Sequence, residues 1–436
     1  MKKSVQAQQN QLIRILQSRG VLTAGQLIQE LDISRSTLSR LMTTASKSFI
    51  RLGHTTATQY GMLREITGLG SELPIYRVTE TGQLKPTAKL LNLYQRNTVI
   101  EPTARVFSGL PPEIFDMVPQ GFMGRTFAQQ HAAVLGLPER LSDWSNDHIL
   151  IAVGRRGEDL PGNLIFGKES ADRWHRNHSQ EIDRSQYTQC AIAAMSGQTA
   201  GSSAGGEQPK FTALVGGKHY LVKFSGIEDS PLQRRWSDLL LCEAMALEIL
   251  SENGITSART SIFQQGSITF LEIERFDRIG PRGRLALLTL AAVDNHLFGD
   301  RKSWSETAEK LERGHHISAE DSKKMKLLDA YGAFIGDSDR HFHNMALFPK
   351  QTLGDKYSSE KYTLAPAFDK LPMSFAPVSG QVVPRVYSLP VPSALQFDVW
   401  EHAKDLGMQF WNRVLKDKRI SSPFKEIAQH ARQVLK

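Results

Sequence analysis

The chain has 436 residues, 40% hydrophobic and 22% charged, which is long enough for two or three domains with their own cores. No run approaches a membrane-spanning apolar length, and the start, MKKSVQAQQNQLIRIL, lacks an apolar signal core, so neither a transmembrane helix nor a secretory leader is expected. Cys190 and Cys242 stand far apart with no CxxC, which argues against a disulfide framework or a Cys-based zinc site and fits a reducing cytoplasm.

The net charge of +8 is concentrated at one end: residues 1–64 carry nine Lys and Arg against only Glu30 and Asp32, or +7 of the total. A basic head on a nearly neutral body suggests a polyanion-binding unit attached to a part with another task. Apolar residues at Leu12, Ile13, Ile15 and Leu16, ending at Gly20, predict a first helix. Thr23 is an expected N-cap for Ala24–Leu31, and Ser34 for Arg35–Thr44, with the turn Asp32-Ile33 between them. This is a helix-turn-helix pattern, and the outward residues of its second helix are Arg35, Ser36, Thr37, Ser39 and Arg40. Their hydroxyls and guanidiniums can reach base edges and phosphates. Phe49–Leu52 and Thr58–Leu63 read as the hairpin of a wing. The head therefore resembles bacterial winged helix-turn-helix regulators, with a protein-docking helical unit as the alternative.

Residues 65–72 are expected to be a linker. Strands are predicted at Ile75–Val78 and Lys89–Leu93 around Thr81-Gly82, and again at Ile149–Gly154 and Gly162–Phe166. Residues 106–125 read as an irregular Pro- and Gly-rich stretch. Next comes Ser202-Ser203-Ala204-Gly205-Gly206-Glu207-Gln208-Pro209-Lys210. Its glycines would let a backbone approach phosphate oxygens, although the stretch is not GxxxxGK[ST] and a plain Gly-Gly turn fits as well. The strand His219–Phe224 carries Lys223. Such a lysine either lies along the surface or contacts ATP phosphates, as in kinases. Glu243, on an amphipathic helix over Leu239–Leu250, is a candidate partner for Lys223 or for a surface Arg.

Helical patterns follow at Leu285–Leu297, Ser303–Leu311, Ala319–Ile335 and Trp400–Leu415, with no clear cap signals in the turns between them. Between the third and fourth lies Gly336-Asp337-Ser338-Asp339-Arg340-His341-Phe342-His343-Asn344, and after it Leu364-Ala365-Pro366-Ala367-Phe368-Asp369. An Asp, then an Asn, then a second Asp after a strand suits phosphoryl transfer from ATP: one carboxylate orients the attacking hydroxyl, and an amide and a carboxylate supply hard oxygen ligands for Mg2+. By itself the stretch also fits a polar turn.

Taken in order, the Gly loop, the strand Lys, Glu274-Arg275-Phe276-Asp277-Arg278, Asp339–Asn344 and Leu364–Asp369 resemble the HipA family of toxin serine/threonine kinases, here with a winged helix-turn-helix fused in front. The resemblance implies an α+β, two-lobed HipA/protein-kinase-like fold, divided as residues 1–66 (DNA-binding head), 67–275 (β-rich kinase subdomain) and 276–436 (helical lobe). It implies ATP and Mg2+ as cofactors and Asp339 as the catalytic base. It assigns Asn344 and Asp369 as metal ligands and Lys223 as the ATP-phosphate lysine. Gly205, Gly206, Glu207, Gln208, Pro209 and Lys210 become the phosphate loop, Glu274, Arg275 and Phe276 the adenine hinge, and His341 a neighbour of the phosphates. His343 and Asp337 receive structural places only. Ser203 matches the family's autophosphorylated loop serine, and Ser202 competes with it. The family's usual separate antitoxin is not required here, because the chain carries its own head. DNA and a protein substrate are the expected partners, with no membrane. The alternative is a DNA-binding transcriptional regulator with a nucleotide-sensing, kinase-like body; a kinase acting on a small molecule or lipid is a third reading.

Overall fold

The computed structural model describes residues 5–44, 48–53, 58–101, 105–176, 180–196, 208–350 and 362–436. Helix α1 (Val5–Arg19), strand β1 (Leu22–Thr23), helices α2 (Ala24–Leu31) and α3 (Arg35–Thr44) and the antiparallel pair β2 (Phe49–Leu52) and β3 (Gln59–Met62) come first. Local signals fix their ends. The Thr23 hydroxyl accepts from the Gln26 amide while the Gln26 side chain accepts from Thr23 N, a reciprocal capping box. Asp32 ends α2 in the left-handed region at φ 51°, and Ser34 Oγ accepts from Thr37 N at 3.2 Å to open α3. Leu12, Leu16, Leu27, Leu31, Leu38 and Leu41 bury one face of each helix in a shared core.

This unit sits directly on the next one, which corrects the expectation of a linker over residues 65–72. Ile66 is buried, Arg64 N donates to Asn92 O at 2.8 Å, and the Arg64 guanidinium donates to both Asp147 oxygens at 2.6 and 2.7 Å. Leu52 joins Leu91, Leu93 and Val99 in one apolar cluster, with Val21, Ile50 and Leu63 packed around it. The polar, Gly-containing composition of the stretch concealed the apolar residues that dock it.

Strands β4 (Glu72–Val78), β5 (Leu84–Asn92), β6 (Asn97–Glu101) and β7 (Arg105–Ser108) precede helices α4 (Pro112–Phe115), α5 (Gly121–Leu135) and α6 (Asn146–Arg156). Strand β8 (Leu164–Phe166) then closes a five-stranded sheet of order β7-β6-β5-β4-β8, and helix α7 (Lys168–Arg176) follows. Two readings need correction here. Residues 149–154 are helical, because Ser145 caps α6 by accepting from His148 N, and the continuous apolar run buries Ile149, Leu150 and Val153 on a helix face. Residues 106–125 hold a strand and two helix starts rather than irregular chain.

Helix α8 (Tyr187–Ser196) leads to strands β9 (Lys210–Val215) and β10 (Lys218–Phe224), and then to helix α9 (Pro231–Glu252). Strands β11 (Thr260–Gln265) and β12 (Ile268–Glu274) complete an antiparallel sheet of order β11-β12-β10-β9. Helix α9 is longer than the amphipathic segment expected and is buried on most of its faces, since it packs both against this sheet and against the later helices. Short strands β13 (Arg278–Ile279), β14 (Gly283–Arg284) and β15 (Leu288–Thr289) precede helices α10 (Leu290–Leu297), α11 (Trp304–Arg313) and α12 (Ala319–Ile335). The helix expected from Leu285 begins only at Leu290, because Leu288 and Thr289 pair with β16 (Ala346–Pro349), which itself pairs with β17 (Tyr362–Leu364). Caps missed in the sequence are present: Thr289, Ser303 and Ser318 each accept from the amide three residues on. Helices α13 (Phe397–Lys416) and α14 (Ser422–Leu435) finish the helical lobe, and α13 crosses α12 at Gly407, where an added Cβ would stand 2.7 Å from the Phe334 Cβ. The fold is a mixed body, in which a five-stranded and a four-stranded sheet precede a helical lobe, behind a small head of three helices and a three-stranded sheet.

Candidate active site

Lys223 projects from β10, one of the two inner strands of the four-stranded sheet, and is 4% exposed. Its Nζ donates to Glu243 Oε1 and Oε2 at 2.8 and 2.9 Å and also to Asp369 Oδ1. One ammonium thus joins a strand, helix α9 and the loop after β17. Burial pushes the Glu243 carboxyl up to about 7, with Lys223 opposing that rise and Asp369 adding to it. Burial also works to raise the Asp369 carboxyl, but the Lys223 and Lys210 charges overcome it and hold the group well below the usual carboxylate range. Lys210 lies opposite Lys223 in the antiparallel register, so both side chains leave the same face of the sheet. Asp369 itself sits in the left-handed region at φ 54°, a conformation that costs a non-glycine residue roughly 1–2 kcal/mol and is frequent at functional sites.

The loop after α12 supplies the facing groups. Gly336 ends the helix in the left-handed region at φ 76°. Asp337 turns inward, where Oδ1 accepts from Asp339 N at 2.9 Å. Its other oxygen lies 3.5 Å from Lys370 Nζ, both side chains being 1% exposed. Lys370 also sits 4.0 Å from the centre of the Trp304 ring. Arg340 donates to the Asp337 carbonyl and to Asp329 Oδ1, and Asp329 also accepts from Ser305 and Gln396. This network holds the loop from behind and leaves Asp339 half-exposed in front. Burial raises the Asp339 carboxyl, with the nearby Asp369 charge adding to the rise and the His341 charge opposing it. Asn344 Nδ2 donates to the Asp339 carbonyl at 2.9 Å, which fixes the amide and leaves its Oδ1 without a donor among the described residues.

The structure therefore brings Lys210, Lys223, Glu243, Asp339, Asn344 and Asp369 to one place, with His341 Nε2 at 3.6 Å from Asp339 Oδ1. Gln208 donates to the Phe224 carbonyl, and Pro209 O accepts from Phe224 N, so these two continue the β9 edge. Ser202, Ser203, Gly205, Gly206 and Glu207 lie outside the described residues. In the stretch 274–276 the side chains go elsewhere. Glu274 pairs with Lys218 at 3.0 Å. Arg275 joins Asp277, Arg278 and Asp159 at the junction with the five-stranded unit. Phe276 packs against Phe348 and against Phe368, the neighbour of Asp369, and its amide donates to no described residue. Among the described residues no group of three or more His, Cys, Asp and Glu is arranged around a metal. One amide oxygen and one carboxylate fit Mg2+, which commonly completes its shell with phosphate and water.

Sequence reasoning missed the Lys370–Asp337–Trp304 arrangement and the approach of α4 to this loop. Asp116, next to α4, accepts from Thr289 N at 2.6 Å and from its hydroxyl, and burial lifts its carboxyl to about 6. No local sequence signal marks either contact, since the partners are far apart along the chain.

Comparison with known proteins gives concordant matches. Residues 69–175 match the family model described as "YjjJ-like toxin, middle domain", and residues 202–435 match that of the "HipA-like C-terminal domain". The sequence is 32% identical over 426 residues to Toxin YjjJ of Escherichia coli (strain K12), covering 94% of each chain. The structure resembles the HipA complex with HipB and operator DNA from Shewanella oneidensis MR-1, with a TM-score of 0.53 at 13% identity, over 83% of this chain and 95% of that one.

Proposed function

The chain belongs to the HipA-related, YjjJ-like toxin family, and from that premise we propose that it is an ATP-dependent serine/threonine protein kinase. The observation that carries the reading is the buried Lys223, held by Glu243 and reaching Asp369 across the cleft from Asp339 and Asn344. Lys223 and Lys210 bind the nucleotide phosphates, and Glu243 keeps Lys223 in place and charged. The amide of Phe276, which meets no acceptor among the described residues, and the neighbouring aromatic rings receive the adenine edge, while the amides of Glu274 and Arg275 donate to Arg259 O and His219 O and shape the turn that presents it. Gly205, Gly206, Glu207, Gln208 and Pro209 are assigned to phosphate binding from the family match over residues 202–435. Asn344 Oδ1 and the Asp369 carboxylate would hold Mg2+, which when bound would neutralise phosphate charge. Asp339 accepts the proton of the substrate hydroxyl as its oxygen bonds to the γ-phosphorus and the bond to the β-phosphate oxygen breaks, releasing ADP. Charges already set in place, rather than ones that must reorganise, supply much of the rate enhancement.

Autophosphorylation of Ser203, or of Ser202, would add close to two negative charges beside the site and displace the loop. We read the head as a winged helix-turn-helix that binds DNA through Arg35, Ser36, Thr37, Ser39 and Arg40 and regulates the kinase without a separate antitoxin. The support is the +7 charge of residues 1–64 and the exposed face of α3; the HipA neighbour was solved in a complex that also holds HipB and operator DNA. Mass spectrometry after incubation with ATP and Mg2+ tests the loop proposal. Phosphate on Ser202 or Ser203 in the wild type, absent from Asp339→Ala, is expected. Phosphate confined to other residues overturns it.

A further inference from the structure

His343 is the catalytic-loop residue to which sequence gave no function, yet its ring is gripped from outside the loop. Phe115 of α4 stacks on it, with ring centroids 5.8 Å apart and planes 9° from parallel. The Gln120 amide donates to its Nδ1 at 3.3 Å. A bond received at Nδ1 leaves the proton of the neutral ring on Nε2. On its other side His343 meets His341 edge-on at 5.8 Å, and His341 Nε2 is 3.6 Å from Asp339 Oδ1. The contacts form an unbroken chain from α4 to the candidate base.

The outer end of that chain is anchored. Asp116, next to Phe115, accepts from Thr289 N and its hydroxyl, and Thr289 caps α10. Leu290 N then donates at 2.7 Å to the carbonyl of Met345, the residue after Asn344. The Arg301 guanidinium lies 5.2 Å from the Phe115 ring centre. The short helix is thus fixed to the scaffold on which the catalytic loop rests, and its aromatic ring and Gln120 reach the loop itself.

We propose that Phe115 and Gln120 are positioning residues that hold His343, and through it His341, against Asp339, so that the transfer site is complete only with residues 112–120 docked. The proposal rests on the kinase reading above. It makes the segment before α5 part of the active centre, although it precedes the kinase-like sheet by about a hundred residues.

The test compares rates of label transfer from γ-labelled ATP for wild type, Phe115→Leu, Phe115→Tyr, Gln120→Ala and Asp339→Ala. Leucine keeps apolar bulk but removes the stacking plane, tyrosine keeps the plane, and Gln120 is exposed, so its truncation leaves the fold intact. A misplacement of about 1 Å at a reacting centre can cost a hundredfold in rate. The expected result is a fall of about tenfold in kcat for Phe115→Leu and Gln120→Ala, an unchanged KM for ATP, and wild-type rates for Phe115→Tyr. Wild-type kcat in both truncations overturns the proposal alone, as does a fall expressed only in KM or a Phe115→Tyr variant as slow as Phe115→Leu. No transfer by the wild type overturns the kinase reading and this proposal with it.

Discussion

Lys223→Met keeps the side chain's length and apolar stem while removing its charge. In the folded chain Lys223 is 4% exposed and Glu243 is fully buried, so the variant leaves a carboxylate in the interior without its cation. Breaking one side of a buried ion pair typically costs about 3–5 kcal/mol. For a lobe of about 200 residues that corresponds to a fall in melting temperature of roughly 6–20 °C. The loss depends on pH, and the sign follows from Glu243. Its folded pKa of about 7 lies above the ordinary 4.5 of a glutamate, so its contribution is favourable below the ordinary value and is lost as pH rises through 7. Without Lys223 the carboxyl moves further up and is neutral at pH 6, where burying it costs little. The penalty at pH 8 therefore exceeds that at pH 6 by about 1.4 kcal/mol for each unit of the window in which the group is charged. Thermal unfolding of wild type and variant, followed by circular dichroism at both pH values, measures this. Equal penalties at pH 6 and 8, or a drop below about 2 °C at pH 8, would refute the assignment of Lys223 as the buried counter-ion of Glu243.

Lys370→Met should destabilise by about 3–5 kcal/mol, because Asp337 is left charged and buried, whereas Lys370→Met with Asp337→Asn should recover more than half of that loss in denaturant titrations. Leu93→Ala, in the cluster shared by the head and the five-stranded unit, should cost about 2–5 kcal/mol and lower the unfolding midpoints of both units together. Independent unfolding of the head in that variant would contradict the shared core. Arg35→Ala and Arg40→Ala should each weaken binding to duplex DNA and reduce the slope of log affinity against log salt by about 1, as read by fluorescence anisotropy at several salt concentrations.

What could be read from sequence was what local chemistry dictates. The Thr23 and Ser34 caps and the Gly20 stop placed helix ends in the head, because each signal acts within four positions. Ile149–Gly154 was misread because a short continuous apolar run has no period of its own, and its cap pairs Ser145 with a histidine instead of a glutamate or glutamine. Lys223, Glu243, Asp339, Asn344 and Asp369 were legible as residue types in an order that phosphoryl transfer needs. Glu243 was already a candidate partner for Lys223, but the reach of the same ammonium to Asp369 was not legible, and neither was the pairing of Lys370 with Asp337, because such contacts join separate elements and leave no mark on neighbouring sequence. The same holds for Phe115 against His343. Arg275 shows the converse: its motif was visible, but its side chain serves the junction with Asp159 and not the cluster around Lys223.

The central claim is that Asp339 activates a hydroxyl toward the γ-phosphate of ATP. Its most direct test is transfer of label from γ-labelled ATP to protein, with Mg2+, by wild type and by Asp339→Ala, with nucleotide affinity measured in parallel. Label on protein in the wild type, a loss of at least about a hundredfold in Asp339→Ala and ATP affinity within a few-fold in both is the predicted result. Equal labelling by the two proteins, or ATP binding with no transfer by either, would contradict it.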